Sequence, residues 1–350
     1  MMTDNRISIY DTTLRDGAQA EGVTFSPASK IHVAQMLDSF GVDYIEGGFA
    51  ASNPKDMAFF RDIKKVNLKH AKIAAFGSTR RSGIAVEDDR GAQALLDADT
   101  EVCTIFGKSW LLHVEDVLKT TLEENLAMIE DTCRFLKSHG KEVIYDAEHF
   151  FDGYKDEPEY ALKTLAAAKA GGADSLVLCD TNGGCLSHEV YEITSVVEKT
   201  FDIPVGTHTH NDSETGVANA MEAVRAGAVH VQGTINGFGE RCGNCNLVSV
   251  VANLIRKTDK TCLLDADQLK NLKAVSQFVN EQANLRDNQR AAYVGDSAFA
   301  HKAGMHVDGV RKAVASFEHV PPDSVGNSRR ILISELSGAC KVMEKLLEMG

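Results

Sequence analysis

The sequence has no apolar run that reaches the roughly eighteen residues of a membrane-spanning helix, and no apolar signal region opens it. Basic side chains are also scarce, since 37 lysines and arginines face 50 aspartates and glutamates and leave a net charge of −13. An acidic chain is repelled by nucleic acids and by anionic membrane surfaces. We therefore expect a protein that binds neither nucleic acid nor membranes.

The eight cysteines do not follow the spacing of a disulfide framework or of a structural zinc domain. Cys242 and Cys245 form a Cys-x-x-Cys pair, but the sequence supplies no second pair with zinc-site spacing. A redox or zinc role for these two residues is therefore disfavoured. We interpret the cysteines as reduced thiols of a cytoplasmic protein.

Apolar runs alternate with helix-like segments from residue 7 to residue 257. The predicted strands comprise residues 7–11, 42–46, 72–76, 101–106, 142–147, 175–179, 205–208 and 230–234. Many of them are continuous apolar runs, which is typical of a parallel sheet covered by helices. Eight strand–helix units in about 255 residues predict an α/β fold of the (β/α)8 TIM-barrel type. A doubly wound open sheet is the alternative, although no G-x-G-x-x-G pattern follows the first strand.

The alternation stops near residue 258. Residues 267–285 predict a helix, a loop and a His-rich segment follow, and residues 334–349 predict a final helix. We therefore divide the chain into a barrel domain, residues 1–258, and a C-terminal helical appendage, residues 259–350.

Two histidines, His208 and His210, stand at the end of the seventh predicted strand. Side chains two residues apart on a strand point to the same side, about 7 Å apart, so both imidazoles can bind one divalent metal ion. The alternative is a pair of hydrogen-bonding histidines without a metal. Active sites of these barrels lie at the C-terminal ends of the strands, and further polar residues end the other predicted strands: Asp16, Glu46, Asp146, Glu148, Asp180 and Asn182. Acidic groups that converge there would repel one another without a cation, which favours the metal site.

Three motifs occur in an order that resembles the DRE-TIM metallolyase superfamily. They are Asp-Thr-Thr-Leu-Arg-Asp-Gly-Ala-Gln at 11–19, His-Thr-His-Asn-Asp at 208–212 and Gly-Phe-Gly-Glu-Arg-Cys-Gly-Asn at 237–244. Further stretches at 106–110, 145–153 and 299–307 are similar to the 2-isopropylmalate/homocitrate/citramalate synthase branch, most closely to its citramalate synthase group. The resemblance covers nearly the whole chain.

The resemblance implies a Claisen-type condensation in branched-chain amino acid biosynthesis. Acetyl-CoA adds to the keto carbon of a 2-oxo acid, and the thioester is then hydrolysed. Pyruvate is the best-matching 2-oxo acid, while 2-isopropylmalate or homocitrate synthesis remain alternatives. A divalent metal would be bound by Asp16, His208, His210 and the amide of Asn244. Mixed nitrogen and oxygen ligands suit Mn, Zn, Co or Fe(II), and suit Mg less well.

The resemblance also implies roles for individual side chains. Arg15 would bind the keto oxygen and stabilise the charge that develops there, and Glu148 would help to remove a proton from the acetyl methyl group. Thr181 would bind the carboxylate of the 2-oxo acid, although it could instead cap the following helix. His306 would activate the hydrolytic water.

Four further residues have weaker assignments. Gln19, Tyr293 and Asp308 are predicted substrate contacts or aids to proton transfer. Glu46 either supports the site or forms a buried structural salt bridge. The segment around His306 follows the barrel, so we expect a homodimer in which this segment completes the site of the partner subunit. Related synthases carry a further C-terminal regulatory domain, and we expect that domain to be absent from the present sequence.

Three other functions are compatible with parts of the pattern. One is a lyase that cleaves 3-hydroxy-3-methylglutaryl-CoA through a loop cysteine, for which Cys242 or Cys245 are the candidates. Another is an aldolase or biotin-dependent carboxyltransferase barrel, which also uses a His-x-His pair. The third is a non-enzymatic scaffold, which would hold its metal in a closed site with no exchangeable position.

Overall fold

A computed structural model describes residues 5–52, 54–302 and 304–332 of the chain. Its centre is a closed barrel of eight parallel strands in sequential order. The strands are β1 Ser8–Asp11, β2 Tyr44–Phe49, β3 Lys72–Ser78, β4 Val102–Lys108, β5 Glu142–Glu148, β6 Ser175–Asp180, β7 Val205–Thr209 and β8 His230–Gly233. The barrel closes through pairing of β1 with β8, from Ser8 opposite His230 to Asp11 opposite Gly233. The predicted (β/α)8 barrel is thus confirmed, and the doubly wound alternative is wrong.

Helices cover the outside of the barrel. They are α1 Pro27–Phe40, α2 Pro54–Ile63, α3 Arg90–Asp97, α4 Leu122–Ser138, α5 Phe150–Asp156, α6 Pro158–Ala170, α7 Ser187–Thr200, α8 Gly216–Ala226 and α9 Leu247–Lys257. The main hydrophobic core lies between these helices and the strands. A smaller buried cluster around Tyr10, Ile144 and Val177 fills the barrel interior. Among the described residues, no helix is long and apolar enough to cross a bilayer.

Helix α1 shows how local sequence fixes an element. The Ser26 hydroxyl accepts a hydrogen bond from the backbone N–H of Ser29, and Pro27 occupies the first helical position, where its missing N–H does no harm. Gly41 ends the helix in the left-handed region at φ +102°, a conformation that favours glycine. These signals are visible in the sequence, which predicts a helix over residues 27–40, and α1 has these bounds.

Strand β2 differs from its prediction in a way that affects the site. The sequence predicted a strand that ends at Glu46, whereas β2 continues to Phe49 with an irregular register between Glu46 and Gly48. Glu46 lies inside the strand, where its buried carboxylate accepts hydrogen bonds from Tyr10 and Thr12. A polar side chain therefore does not mark the end of this strand.

The region after α9 forms the predicted helical appendage. Here a 3-10 turn, Gln268–Asn271, leads into α10 Leu272–Gln282, where the sequence predicted one helix over 267–285. Two short strands, β9 Ala300–His301 and β10 Arg330–Ile331, pair in parallel, and α11 Gly304–Lys312 lies between them in the sequence. The predicted helix at 334–349 lies outside the described residues. The division between residues 258 and 259 stays a prediction, and it falls just after the end of α9.

Candidate active site

Three buried side chains that can bind a metal ion meet at the C-terminal mouth of the barrel. Asp16 follows β1, His208 lies in β7, and His210 comes directly after β7. The two Nε2 atoms are 3.3 Å apart, and Asp16 Oδ2 lies 3.3 Å from Nε2 of His208 and 3.8 Å from Nε2 of His210. Ligands bound at about 2.1 Å to one ion lie roughly 3.0 to 3.5 Å apart, so two of the three distances have the spacing of a metal site and the third is slightly longer.

A fourth ligand candidate lies beside this triad. Asn244 pairs with His210 through the backbone, and its side-chain Nδ2 donates to the carbonyl of Phe238 at 3.1 Å. Its Oδ1 is buried and has no hydrogen-bond donor. A buried acceptor without a partner is unfavourable in a protein interior, and a cation would satisfy it. The donor set of one carboxylate, two imidazoles and one amide oxygen fits a divalent metal.

The electrostatics of the triad favour metal binding. Burial alone would raise the pKa of Asp16, but the guanidinium of Arg15 and the imidazole of His208 hold this pKa well below its usual range. Burial, together with His208, lowers the pKa of His210 to about 4, so this imidazole is neutral near pH 7. Burial also opposes protonation of His208, but Asp16 outweighs it and raises the pKa. Asp16 and His210 are therefore in the protonation states that a metal ion requires, whereas His208 must release its second proton when a metal binds.

Arg15 is held in place by Glu46. Its Nε donates to Glu46 Oε1, and its guanidinium carbon lies 3.7 Å from the ring centre of Phe76. The Glu46 side chain is fully buried and also accepts from Thr12 at 2.6 Å and from Tyr10 at 2.5 Å. Glu46 is thus a buried ion-pair partner, and this pairing fixes the guanidinium at the mouth.

Glu148 and Lys108 end two neighbouring strands. They face each other in the register of β5 and β4, and Lys108 Nζ donates to Glu148 Oε2. The side chain of Glu148 is 23% exposed, so the carboxylate can reach a molecule in the mouth. Thr181 lies beside it, and its Oγ1 accepts from the backbone N–H of His149 at 2.9 Å. Its own hydroxyl proton can therefore be donated to a ligand.

A cavity of about 250 Å³ opens at this mouth. It is lined by Arg15, Asp16, Gln19, Phe49, Phe76, Phe106, Asp146, Glu148, Cys179, Thr181, His208, His210, Glu240 and Arg241. Seven residues that were predicted from the sequence are among them. Asn244 is not part of the lining, although it lies next to His210.

Three predicted residues lie elsewhere in the described part of the chain, and none lines this cavity. Tyr293 is buried, and its hydroxyl donates to Asn253 Oδ1 at 2.6 Å. His306 is exposed on α11, where its ring stacks on Phe317 at 4.4 Å. Asp308 pairs with Lys312 on the same helix at 2.7 Å. A single chain therefore does not bring them to Asp16, His208 and His210.

The structure adds residues to which the sequence analysis gave no individual role. Asp146 lines the cavity, and burial raises the pKa of its carboxyl to about 7, although the charge of His208 opposes the shift. A usable signal was available, because Asp146 and Glu148 are two residues apart on β5 and so share a side. The phenylalanines at positions 49, 76 and 106 form one aromatic wall, with ring centres 5.4 to 6.4 Å apart. They come from the adjacent strands β2, β3 and β4, and the pairing of these strands brings the three rings together.

Comparison with known proteins places this site in a family. Residues 6–279 match the HMGL-like family model, and residues 293–350 match the model of the homocitrate synthase post-HMGL domain-like family. An (R)-citramalate synthase from Aquifex aeolicus is 55% identical over 99% of the chain, and one from Geobacter sulfurreducens is 53% identical over 98%. The chain spans 65% of the length of each of these relatives.

A solved structure shows the same fold. The HMG-CoA lyase of Bacillus subtilis superposes with a TM-score of 0.68 at 19% identity, over 81% of this chain and 96% of the lyase. The identity is too low to carry a function, but the barrel is shared. The family model over the barrel and the two synthases over nearly the full chain lead to the same conclusion: the chain belongs to the HMGL-like family, in the branch that contains these synthases.

Proposed function

We propose that this chain is the catalytic part of a metal-dependent acyltransferase that condenses acetyl-CoA with a 2-oxo acid and hydrolyses the thioester. The observation that carries the proposal is one cavity that contains a metal-type triad, a fixed guanidinium and a partly exposed carboxylate. Asp16, His208 and His210 would hold the metal, with Asn244 as the fourth ligand. A bound divalent ion would act as a Lewis acid toward the keto group of the 2-oxo acid.

The protein side chains would supply binding and proton transfer. Arg15 is ionised at any relevant pH, and its pairing with Glu46 holds it ready to donate to the keto oxygen as negative charge develops there. Glu148 would accept a proton from the acetyl methyl group, and the resulting carbanion would attack the keto carbon. Thr181 would donate to the carboxylate of the 2-oxo acid. Water then cleaves the thioester, which releases CoA and leaves a 2-hydroxy diacid.

The aromatic wall favours a small 2-oxo acid. Phe49, Phe76 and Phe106 occupy one side of the mouth, and Arg15 lies directly over the Phe76 ring. A charged side chain on the 2-oxo acid would place a carboxylate against these apolar rings. Pyruvate carries only a methyl group, so we propose pyruvate as the substrate and citramalate as the product. Two of the related proteins are named (R)-citramalate synthase.

The position of His306 supports a shared site in a homodimer. Its segment carries exposed apolar side chains, with Met305 84% and Phe317 43% exposed, which is unusual for a surface that meets only water. We propose that a second copy covers this segment and receives His306 at its own barrel mouth, where the imidazole would activate the hydrolytic water. Tyr293 and Asp308 remain weaker candidates for the same function.

A thiol-release assay tests the reaction. Acetyl-CoA is offered with pyruvate, 2-oxobutyrate, 2-oxoisovalerate or 2-oxoglutarate, and the divalent metal is varied among Mn, Zn, Co, Fe and Mg. We expect CoA release that depends on the metal and is most efficient with pyruvate. A preference for 2-oxoisovalerate or 2-oxoglutarate would reassign the substrate, and CoA release without any 2-oxo acid would contradict the condensation.

Mixed dimers test the shared site. Asp16→Asn and His306→Ala should each be nearly inactive alone. If equal amounts are refolded together, about half of the dimers are mixed and have one intact site, so roughly a quarter of the wild-type activity should return. No recovery after proven subunit exchange would show that His306 serves its own barrel.

A further inference from the structure

His208 makes a polar contact on each side of its ring. Nε2 faces Asp16, whereas Nδ1 lies 2.9 Å from Oε1 of Gln232. Gln232 stands opposite His208 in the pairing of β7 with β8, and its Nε2 donates to Asp146 Oδ1 at 2.9 Å. Gln232 is fully buried and Asp146 is 3% exposed, so water does not compete for these contacts. The result is a continuous polar chain from β5 to the metal ligands.

The chemistry of these groups fixes the direction of each hydrogen bond. In the structure the NH₂ group of Gln232 donates to Oδ1 of Asp146, which accepts, and the amide oxygen of Gln232 faces Nδ1 of His208. An amide oxygen also only accepts, so Nδ1 of His208 must carry a proton. In the neutral ring Nε2 then keeps its lone pair, and this lone pair points toward Asp16 and His210.

The opposite arrangement is unfavourable at both ends. A reversed amide would place its oxygen against Asp146, where two acceptors repel each other when the carboxyl is ionised. It would also donate to Nδ1 of His208, so the neutral ring would carry its proton on Nε2. That proton would point into the ligand cluster and would block metal binding.

We propose that Gln232 is a positioning residue of the metal site, which holds His208 in its metal-binding tautomer, and that Asp146 fixes the orientation of the Gln232 amide. The inference rests on the proposed metal site and adds two residues to it that do not bind the metal. Residues that hydrogen-bond to the far nitrogen of a ligand histidine typically change metal affinity by about 10- to 100-fold.

Metal titration of the metal-free protein tests the proposal without measuring catalysis. Gln232→Met keeps the length of the side chain but removes the acceptor, and it should weaken Mn²⁺ binding by about 10- to 100-fold. The double variant Gln232→Glu with Asp146→Asn exchanges the amide and the carboxylate. It keeps an acceptor at Nδ1 and a donor–acceptor pair between positions 146 and 232, so its Mn²⁺ affinity should return close to that of the wild type. A purely structural loss would not be rescued in this way.

His208→Ala separates the two proposals. If His208→Ala binds Mn²⁺ as well as the wild type, the metal site itself is wrong. If His208→Ala binds weakly and Gln232→Met binds normally, the site stands and the positioning inference is wrong. If Gln232→Met does not fold, nitrogen-15 NMR of histidine-labelled, metal-free wild type at alkaline pH decides. A proton on Nδ1 of His208 supports the inference, and a proton on Nε2 overturns it.

Discussion

The buried pair of Arg15 and Glu46 offers a prediction in which stability reports directly on the geometry of the site. Glu46→Gln keeps the shape of the side chain and an oxygen acceptor but removes the charge. The Arg15 side chain is only 10% exposed and the Glu46 side chain is fully buried, so solvent can replace little of the lost interaction. The variant therefore leaves a buried guanidinium without its main partner.

The structure also sets the size of the effect. Breaking a buried ion pair on one side typically destabilises a protein by about 3–5 kcal/mol. Arg15 keeps a second anionic neighbour, because its Nη1 lies 3.4 Å from Asp16 Oδ1. We therefore expect a loss near the lower end, about 3 kcal/mol, for Glu46→Gln. Arg15→Gln should lose a similar amount, since it strands a fully buried carboxylate.

A double-mutant cycle separates the pair from its surroundings. The double variant Arg15→Gln with Glu46→Gln has no buried charge left unpaired between these positions, so it should lose much less than the sum of the two single variants, with a coupling of at least about 2 kcal/mol. The assay is urea unfolding in the presence of a chelator, followed by circular dichroism and by fluorescence of the single tryptophan, Trp110. Additive losses, with a coupling below about 0.5 kcal/mol, would refute the claim that Glu46 fixes Arg15.

Three further predictions concern other parts of the molecule. Asp16→Asn or His210→Ala should weaken Mn²⁺ binding at least about 10-fold in a titration while circular dichroism stays unchanged, because each removes one ligand from a barrel that is otherwise intact. Phe106→Ala should open the aromatic wall, so the ratio of kcat/KM for 2-oxobutyrate to that for pyruvate should rise about 10-fold in the thiol-release assay; an unchanged ratio would remove Phe106 from substrate selection. Asp38→Asn should destabilise the protein by about 1–3 kcal/mol in urea unfolding near pH 7, because the Asp38 carboxylate accepts from the backbone N–H groups of Lys69, His70 and Ala71. Burial raises the pKa of Asp38, but these three donors outweigh burial and lower the pKa. The stabilisation by the Asp38 carboxylate is therefore complete above the unfolded pKa of about 3.9 and is lost as the pH falls through the folded pKa. A difference in stability between the wild type and Asp38→Asn that persists at still lower pH would contradict this origin.

The fold could be predicted from the sequence because its signals are local. Apolar runs of strand length and capped amphipathic segments alternate eight times. The sequence predicts helices over 187–200 and 247–257, for example, and α7 Ser187–Thr200 and α9 Leu247–Lys257 have these bounds. Errors arose where tertiary contacts decide the local structure. The helix α5 Phe150–Asp156 was not predicted, since it follows β5 through His149 in the left-handed region at φ +55°, and no local pattern announces such a turn.

The candidate metal-binding residues could be predicted because they lie at strand ends and within recognisable motifs. Asp16, His208 and His210 were found in this way, and they do converge. Gln232 was not assigned to the site, and Asp146 was placed at a strand end without a role, because the contact between these two side chains exists only across the barrel. Gln232 on β8 lies next to His208 on β7 and also contacts Asp146 on β5, which is three strands away from β8 around the barrel. Sequence patterns therefore identify residues that bind a ligand directly, whereas the residues that orient those ligands emerge from the register of the strands.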